Sequence, residues 1–106
     1  TDTGQLILSG AIGETGGARA LTKIGGLGTV IFTADNTYSG ITTISSGGLQ
    51  IGNNTATGTL GSGNVVNNDQ LNFNRSTAYT VNNVISGSGG SGEQLSQVGT
   101  GAITLA

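Results

Sequence analysis

The sequence predicts an all-β fold of the β-solenoid class, with about 4–5 coils of roughly 19–24 residues each. Three observations point there. No stretch reads as a helix: the longest run without Gly, Asn64 to Ser86, carries Val65-Val66, Asn67-Asn68 and Asn82-Asn83, all poor helix formers. Short apolar runs closed by Gly, Ser or Asn recur along the whole chain. Apolar positions also repeat at one offset, since Ile44 to Val66, Leu49 to Leu71 and Ile51 to Phe73 are each 22 residues apart. A shared offset is what results when each coil lays its strand over the equivalent strand of the next.

The predicted strands follow in order. Leu6-Ile7-Leu8 ends at Ser9-Gly10, and Leu21 to Ile24 runs into Gly25-Gly26. Val30-Ile31-Phe32 follows Gly28 and places Val30 and Phe32 on one face. Ile41 to Ile44 follows Gly40, and Leu49 to Ile51 follows Gly47-Gly48 with Leu49 and Ile51 on one face. Val65-Val66 precedes an Asn-Asn-Asp turn, after which Leu71 and Phe73 alternate. Val81 to Ile85, Leu95 to Val98 and the alternating Ile103/Leu105 complete ten runs. Leu6 to Val30 is 24 residues and Val30 to Leu49 is 19, so coil length is expected to vary through the loops. A longer echo relates Leu8-Ser9-Gly10 to Ile85-Ser86-Gly87 and Leu21–Gly25 to Leu95–Gly99, at offsets of 77 and 74. A closed sandwich or barrel is the competing all-β reading, but its usual Asn-Gly or Asp-Gly hairpin turns are missing.

Composition narrows the function classes. Gly, Thr, Ser and Asn make up just over half of the 106 residues, and Pro, Cys, Met, Trp and His are absent. Without Cys or His there is no disulfide framework, no zinc site of ordinary type, no thiol nucleophile and no imidazole base. Three cations against five anions do not make a nucleic-acid footprint, and no apolar run is long enough to insert in a membrane as a helix. Charged residues are 8% of the chain, too few for the usual disordered composition.

Candidate chemical motifs are weak in this background. Gly87-x-Gly89-x-x-Gly92 fits a dinucleotide fingerprint, but the following residues read as a strand and chance matches are frequent in so Gly-rich a chain. Gly89 to Leu95 looks like a calcium-binding nonapeptide with Gln94 where the carboxylate belongs. The carboxylates Asp2, Glu14, Asp35, Asp69 and Glu93 are scattered, and only Glu14 and Asp35 stand one coil apart. They read as solvated turn residues, not as the acid and base of a polysaccharide-cleaving site. Arg19, Lys23 and Arg75 read as surface charges. The Thr-x-Thr pairs at 1–3 and 55–59 have no partner one coil away, so an ice-binding ladder is not expected. The Asn pairs 53–54, 67–68 and 82–83 read as turn residues, and the acceptor sequons at Asn53 and Asn74 as incidental. The expectation is no enzyme activity and no cofactor or metal.

From Leu21 to Asn53 the chain reads LTKIGGLGTVIFTADNTYSGITTISSGGLQIGN. Leu21, Thr22 and Lys23 open the pattern, and Asn36, Thr37, Tyr38, Ser39 and Gly40 form a distinctive pentapeptide. Thr42, Thr43, Gly48, Leu49, Gly52 and Asn53 close it. This stretch resembles the autotransporter-associated β-strand repeat, also called the passenger-associated transport repeat, with one extra residue near Gly25-Gly26-Leu27. Residues 95–106 look like the start of a second copy within a single segment, 1–106, of a longer passenger.

The resemblance implies a right-handed parallel β-helix from the passenger of a Gram-negative type V secretion protein, exported through the outer membrane to the cell surface or beyond. It implies a structural stalk that aids secretion and folding. The alternative is an adhesin or self-association module that meets a host surface receptor or neighbouring copies. Absence of Cys and Pro suits such export, because premature disulfides and slow isomerisation are both avoided.

These readings fix several expectations. Leu49/Leu71 and Ile51/Phe73 should stack in two inward columns, with Ile44 over Val66 beside them. Tyr38 should close the pentapeptide turn, with Gly40 supplying a positive φ. Adjoining coils are expected to continue the array past both ends and to cover Leu6/Leu8 and Ile103/Leu105.

Overall fold

A computed structural model describes residues 4–24, 28–87 and 94–105, and every regular element among them is a strand. In chain order these are β1 (Gln5–Leu8), β2 (Leu21–Lys23), β3 (Thr29–Phe32), β4 (Thr42–Ile44), β5 (Gly48–Thr55) and β6 (Val65–Asn67). They continue with β7 (Gln70–Arg75), β8 (Tyr79–Val81), β9 (Ile85–Ser86), β10 (Gln94–Gln97) and β11 (Ile103–Leu105). All pairings are parallel and skip along the sequence: β1-β3-β5-β7-β10 forms one sheet, β2-β4-β6-β9 a second and β8-β11 a third. The chain is a parallel β-solenoid of about four turns.

Alternation along the five-stranded sheet builds the core. Two inward rows cross it, Leu6–Val30–Leu49–Leu71–Leu95 and Leu8–Phe32–Ile51–Phe73–Gln97. The expected Leu49/Leu71 and Ile51/Phe73 pairs are both in register, and all four side chains are buried. Ile44 and Val65 complete the core from the second sheet, Leu60 and Val81 from the third side.

The pairing of Ile44 with Val66 is corrected. Ile44 stands beside Asn67 and Thr43 beside Val66, so Val65 is the buried valine, paired with Thr42. The cause lies at the corner into the five-stranded sheet: four positions separate Ile44 from Gly48 but three separate Asn67 from Gln70, so the coil offset is 23 residues between β4 and β6 and 22 between β5 and β7. The register shift between Ile51 and Thr55, where Gly52 and Asn54 take positive φ of 86° and 58°, acts one coil later and brings the offset to 20 at Thr55–Arg75 and Val65–Ile85.

The single run expected over Val81–Ile85 is also two strands in two sheets, parted by a bend at Asn83. The segments linked by the 74- and 77-residue offsets lie in different sheets: β2 and β9 in the four-stranded one, β10 and β1 in the five-stranded one.

Candidate functional site

The pentapeptide corner, residues 36–40, is tied to the coils on both sides. The chain leaves β3 and must turn through the third side before β4, so its backbone groups need partners outside the main sheets. Thr37 and Tyr38 both donate their N–H to the carbonyl of Ile12, at 2.9 and 3.2 Å, and Gly40 donates to the carbonyl of Arg19 at 3.0 Å. Asn36 is buried and faces both ways along the stack. Its Oδ1 accepts the Ile12 N–H at 2.7 Å, its Nδ2 donates to the Thr59 carbonyl at 2.8 Å, and its own N–H donates to Thr59 Oγ1 at 3.0 Å. One side chain therefore joins three successive coils.

Tyr38 is fully buried and closes the turn as expected, its hydroxyl 2.6 Å from Thr42 Oγ1. That bond also satisfies the inward-facing threonine. Gly40 is needed for a different reason from the one expected: it is not among the positive-φ residues. A Cβ at Gly40 would sit 2.2 Å from the Arg19 carbonyl oxygen, so the residue is fixed by the close approach of one coil to the next. Gly63 repeats the arrangement one coil on, against the Gly40 carbonyl at the same 2.2 Å.

Glu14 is the partner that sequence reading missed. Its Oε1 accepts the N–H groups of Arg19 and Ser39, both at 2.8 Å, and its Oε2 accepts the Ser39 hydroxyl at 2.5 Å. These bonds hold its carboxyl below the ordinary carboxylate value, the Ser39 hydroxyl contributing most, then the backbone N–H groups of Ser39 and Arg19. The other described carboxylates do similar work across coils: Asp35 Oδ1 accepts from Gly58 N–H at 2.9 Å, and Asp69 Oδ2 from Gly47 N–H at 2.7 Å. The signal was there in outline, because a carboxylate one coil from a Gly turn can accept that turn's N–H.

The remaining motif residues are spread around the coil. Leu21 packs half-buried against the core, and Thr22 faces outward. Lys23 sends its Nζ to the carbonyls of Ile24 and Ser46, at 3.0 and 3.1 Å. Gly48 and Leu49 begin β5, buried between β3 and β7. Gly52 combines positive φ with an approach of 2.6 Å between its would-be Cβ and the Asn74 carbonyl oxygen, and Asn53 is exposed beside it. The motif thus marks out the corners and strand starts of more than one full coil and does not converge on a cleft.

Arg75 is a further correction. It is not a surface charge but a buried inward residue, third in the alternation Leu71, Phe73, Arg75. Its Nη1 donates to the Gly58 carbonyl at 2.6 Å, and its guanidinium lies 4.8 Å from the centroid of the Tyr79 ring. Among the described residues no cluster of three or more Asp, Glu, His or Cys could hold a metal. The Gly87–Gly92 and Gly89–Leu95 motifs, with Asp2 and Glu93, fall wholly or largely outside the described residues.

Comparison with known proteins agrees with this reading. Residues 21–51 match the family described as Passenger-associated-transport-repeat. Over 88 residues, 83% of its length, the chain is 40% identical to the "Adhesin BmaC autotransporter" of Brucella suis biovar 1 (strain 1330). It spans 3% of that protein's length. No solved structure matches.

Proposed function

We propose, for a chain that carries a passenger-associated transport repeat within a parallel β-solenoid, that it is a structural stalk segment of an autotransporter passenger. In this role it aids secretion and folding and holds functional regions of a longer protein away from the cell. The observation that carries the reading is where the hydrogen bonds go. Strand ladders, corner amides, Asn36 and the carboxylates all bond to the preceding or following coil. A coil of this kind is stabilised by its neighbour, so a chain emerging from a pore can fold one coil at a time. The cell surface or the medium beyond it is the matching location, and adjoining coils are its first partners. The segment has no chemistry of its own in this reading: Glu14, Asp35 and Asp69 each spend a carboxylate oxygen on backbone N–H groups.

The test is removal of residues 21–53 from the parent passenger, followed by surface labelling and protease digestion of intact cells. Less passenger on the surface and a lost protease-resistant core are expected. Unchanged surface yield with an unchanged digestion pattern would sink the stalk reading.

A second reading, an adhesive or self-associating face, is favoured by the exposed Ile41 and Val84 beside the outward strand positions Thr22, Thr43 and Val66. The relative named an adhesin supports the same direction. Ile41→Ser with Val84→Ser should then lower cell–cell or cell–host adhesion at unchanged surface yield.

A further inference from the structure

The third side of the solenoid contains a break that the other sides lack. Backbone N–H groups join coil to coil at Thr37 to Ile12, Thr59 to Ala34, Ser62 to Tyr38 and Tyr79 to Ala102. Among the described residues no backbone bond joins 59–63 to 79–83. Two side chains bridge the gap instead. The Tyr79 hydroxyl accepts the Leu60 N–H at 3.3 Å, and Asn83 Nδ2 donates to the carbonyls of Gly61 and Gly63, both at 2.7 Å. They prop the two coils apart over a slot of about 290 Å³.

The lining is mixed and uncharged: Leu60 and Gly61 stand beside Asn36, Thr59, Tyr79 and Asn83, and no Asp, Glu, Lys or Arg lines it. Asn82 is exposed and its side chain makes no hydrogen bond among the described residues, so both its donor and its acceptor are open. The Tyr79 hydroxyl accepts from Leu60 and has its own proton to donate. β8 is also the edge of its two-stranded sheet and turns an unpaired backbone edge toward the slot. Paired amide donors and acceptors with hydroxyls suit vicinal alcohols. The absence of charge disfavours an ion, and the volume, at the small end of ligand pockets, suits one ring.

We propose that this slot binds a single neutral pyranose, presented as the end of a glycan. The proposal is separate from the stalk reading, because it is measured as binding to the 106-residue chain and not as export. The probes are methyl β-galactopyranoside, methyl α-mannopyranoside and methyl N-acetyl-β-glucosaminide, with the anionic N-acetylneuraminic acid as contrast, titrated into labelled protein and followed by amide NMR. The expected result is saturable shifts at Leu60, Ser62, Thr80 and Asn82 with one neutral sugar, with Kd on the order of 1 mM. Asn82→Ala should weaken it about tenfold with the remaining spectrum unchanged, and Thr80→Val should not abolish the fold. No saturable shift with any neutral sugar, preference for the anionic sugar, or binding indifferent to Asn82→Ala would each overturn it.

Discussion

Asp35 and Arg75 never meet but hold the same residue: Asp35 Oδ1 accepts the Gly58 N–H at 2.9 Å, and Arg75 Nη1 donates to the Gly58 carbonyl at 2.6 Å. The three residues sit on successive coils, so opposite charges are spent on clamping a corner. Gly58 suits the clamp because its φ is +115° and a Cβ there would lie 2.8 Å from both the Phe32 carbonyl oxygen and the Gly52 nitrogen. The guanidinium is buried, its Nε has no partner, and its Cζ lies over the Tyr79 ring. A buried charge so placed is costly to disturb from one side.

Arg75→Met should therefore destabilise the chain although it adds apolar character. The loss is expected at about 1.5–3 kcal/mol, the worth of a charge-assisted bond to a buried carbonyl, read from urea unfolding. A neutral or stabilising result would mean that the Tyr79 stack and the Gly58 bond contribute nothing net.

Phe73→Ala should be among the most damaging core changes, at about 3–5 kcal/mol, since Phe73 is buried, pairs with Ile51 and meets the Tyr79 ring at 5.9 Å. Chemical denaturation of the variant checks it.

Asn36→Ala should orphan the Ile12 N–H and the Thr59 carbonyl together. Each buried group left unpaired costs about 1–3 kcal/mol, and Asn36→Asp should rescue only the acceptor side. Hydrogen exchange should show the effect at Ile12, in the coil before the mutated residue.

Glycine substitutions should divide by coil approach. Gly40→Ala puts a methyl 2.2 Å from the Arg19 carbonyl and should prevent normal stacking, whereas Gly10, with nothing within 4 Å, should accept Ala almost silently. Melting temperatures of the two variants make the comparison direct.

Glu14 predicts a pH effect with a definite sign. Its folded carboxyl titrates below the ordinary value of 4.5, so its stabilisation is complete above that value and fades as pH falls toward the folded pKa. Protection of the 9–20 segment against exchange should fall below about pH 4.5 in the wild type. In Glu14→Gln that step should be absent.

The strand columns were legible because alternation and a constant offset act together: Leu49 over Leu71 and Ile51 over Phe73 need only counting. The second sheet was misread by one residue at Val66 because the corner from β6 to β7 is one residue shorter than the corner from β4 to β5, a change that leaves no mark on apolar periodicity. Tyr38 was readable from its place in the motif. The reason for Gly40 was not, because backbone approach between coils depends on residues some twenty positions away. Arg75 was hidden by the habit that isolated charges face water, and the Glu14 bonds by their reach to Ser39 on the next coil. The inward parity of Arg75, two beyond Phe73, was the clue that overrides it.

Coil lengths from 19 to 24 residues share one strand ladder, since the extra residues leave at the corners. Each coil therefore advances by one strand spacing, about 4.8 Å, whatever its residue count. Reach along the axis is about a fifth of an ångström per residue, against some 3.3 Å for an extended chain. Ten coils would raise a tip by roughly 48 Å and consume on the order of two hundred residues. Length along the axis is thus counted in coils, and lengthening a corner widens the solenoid without extending it.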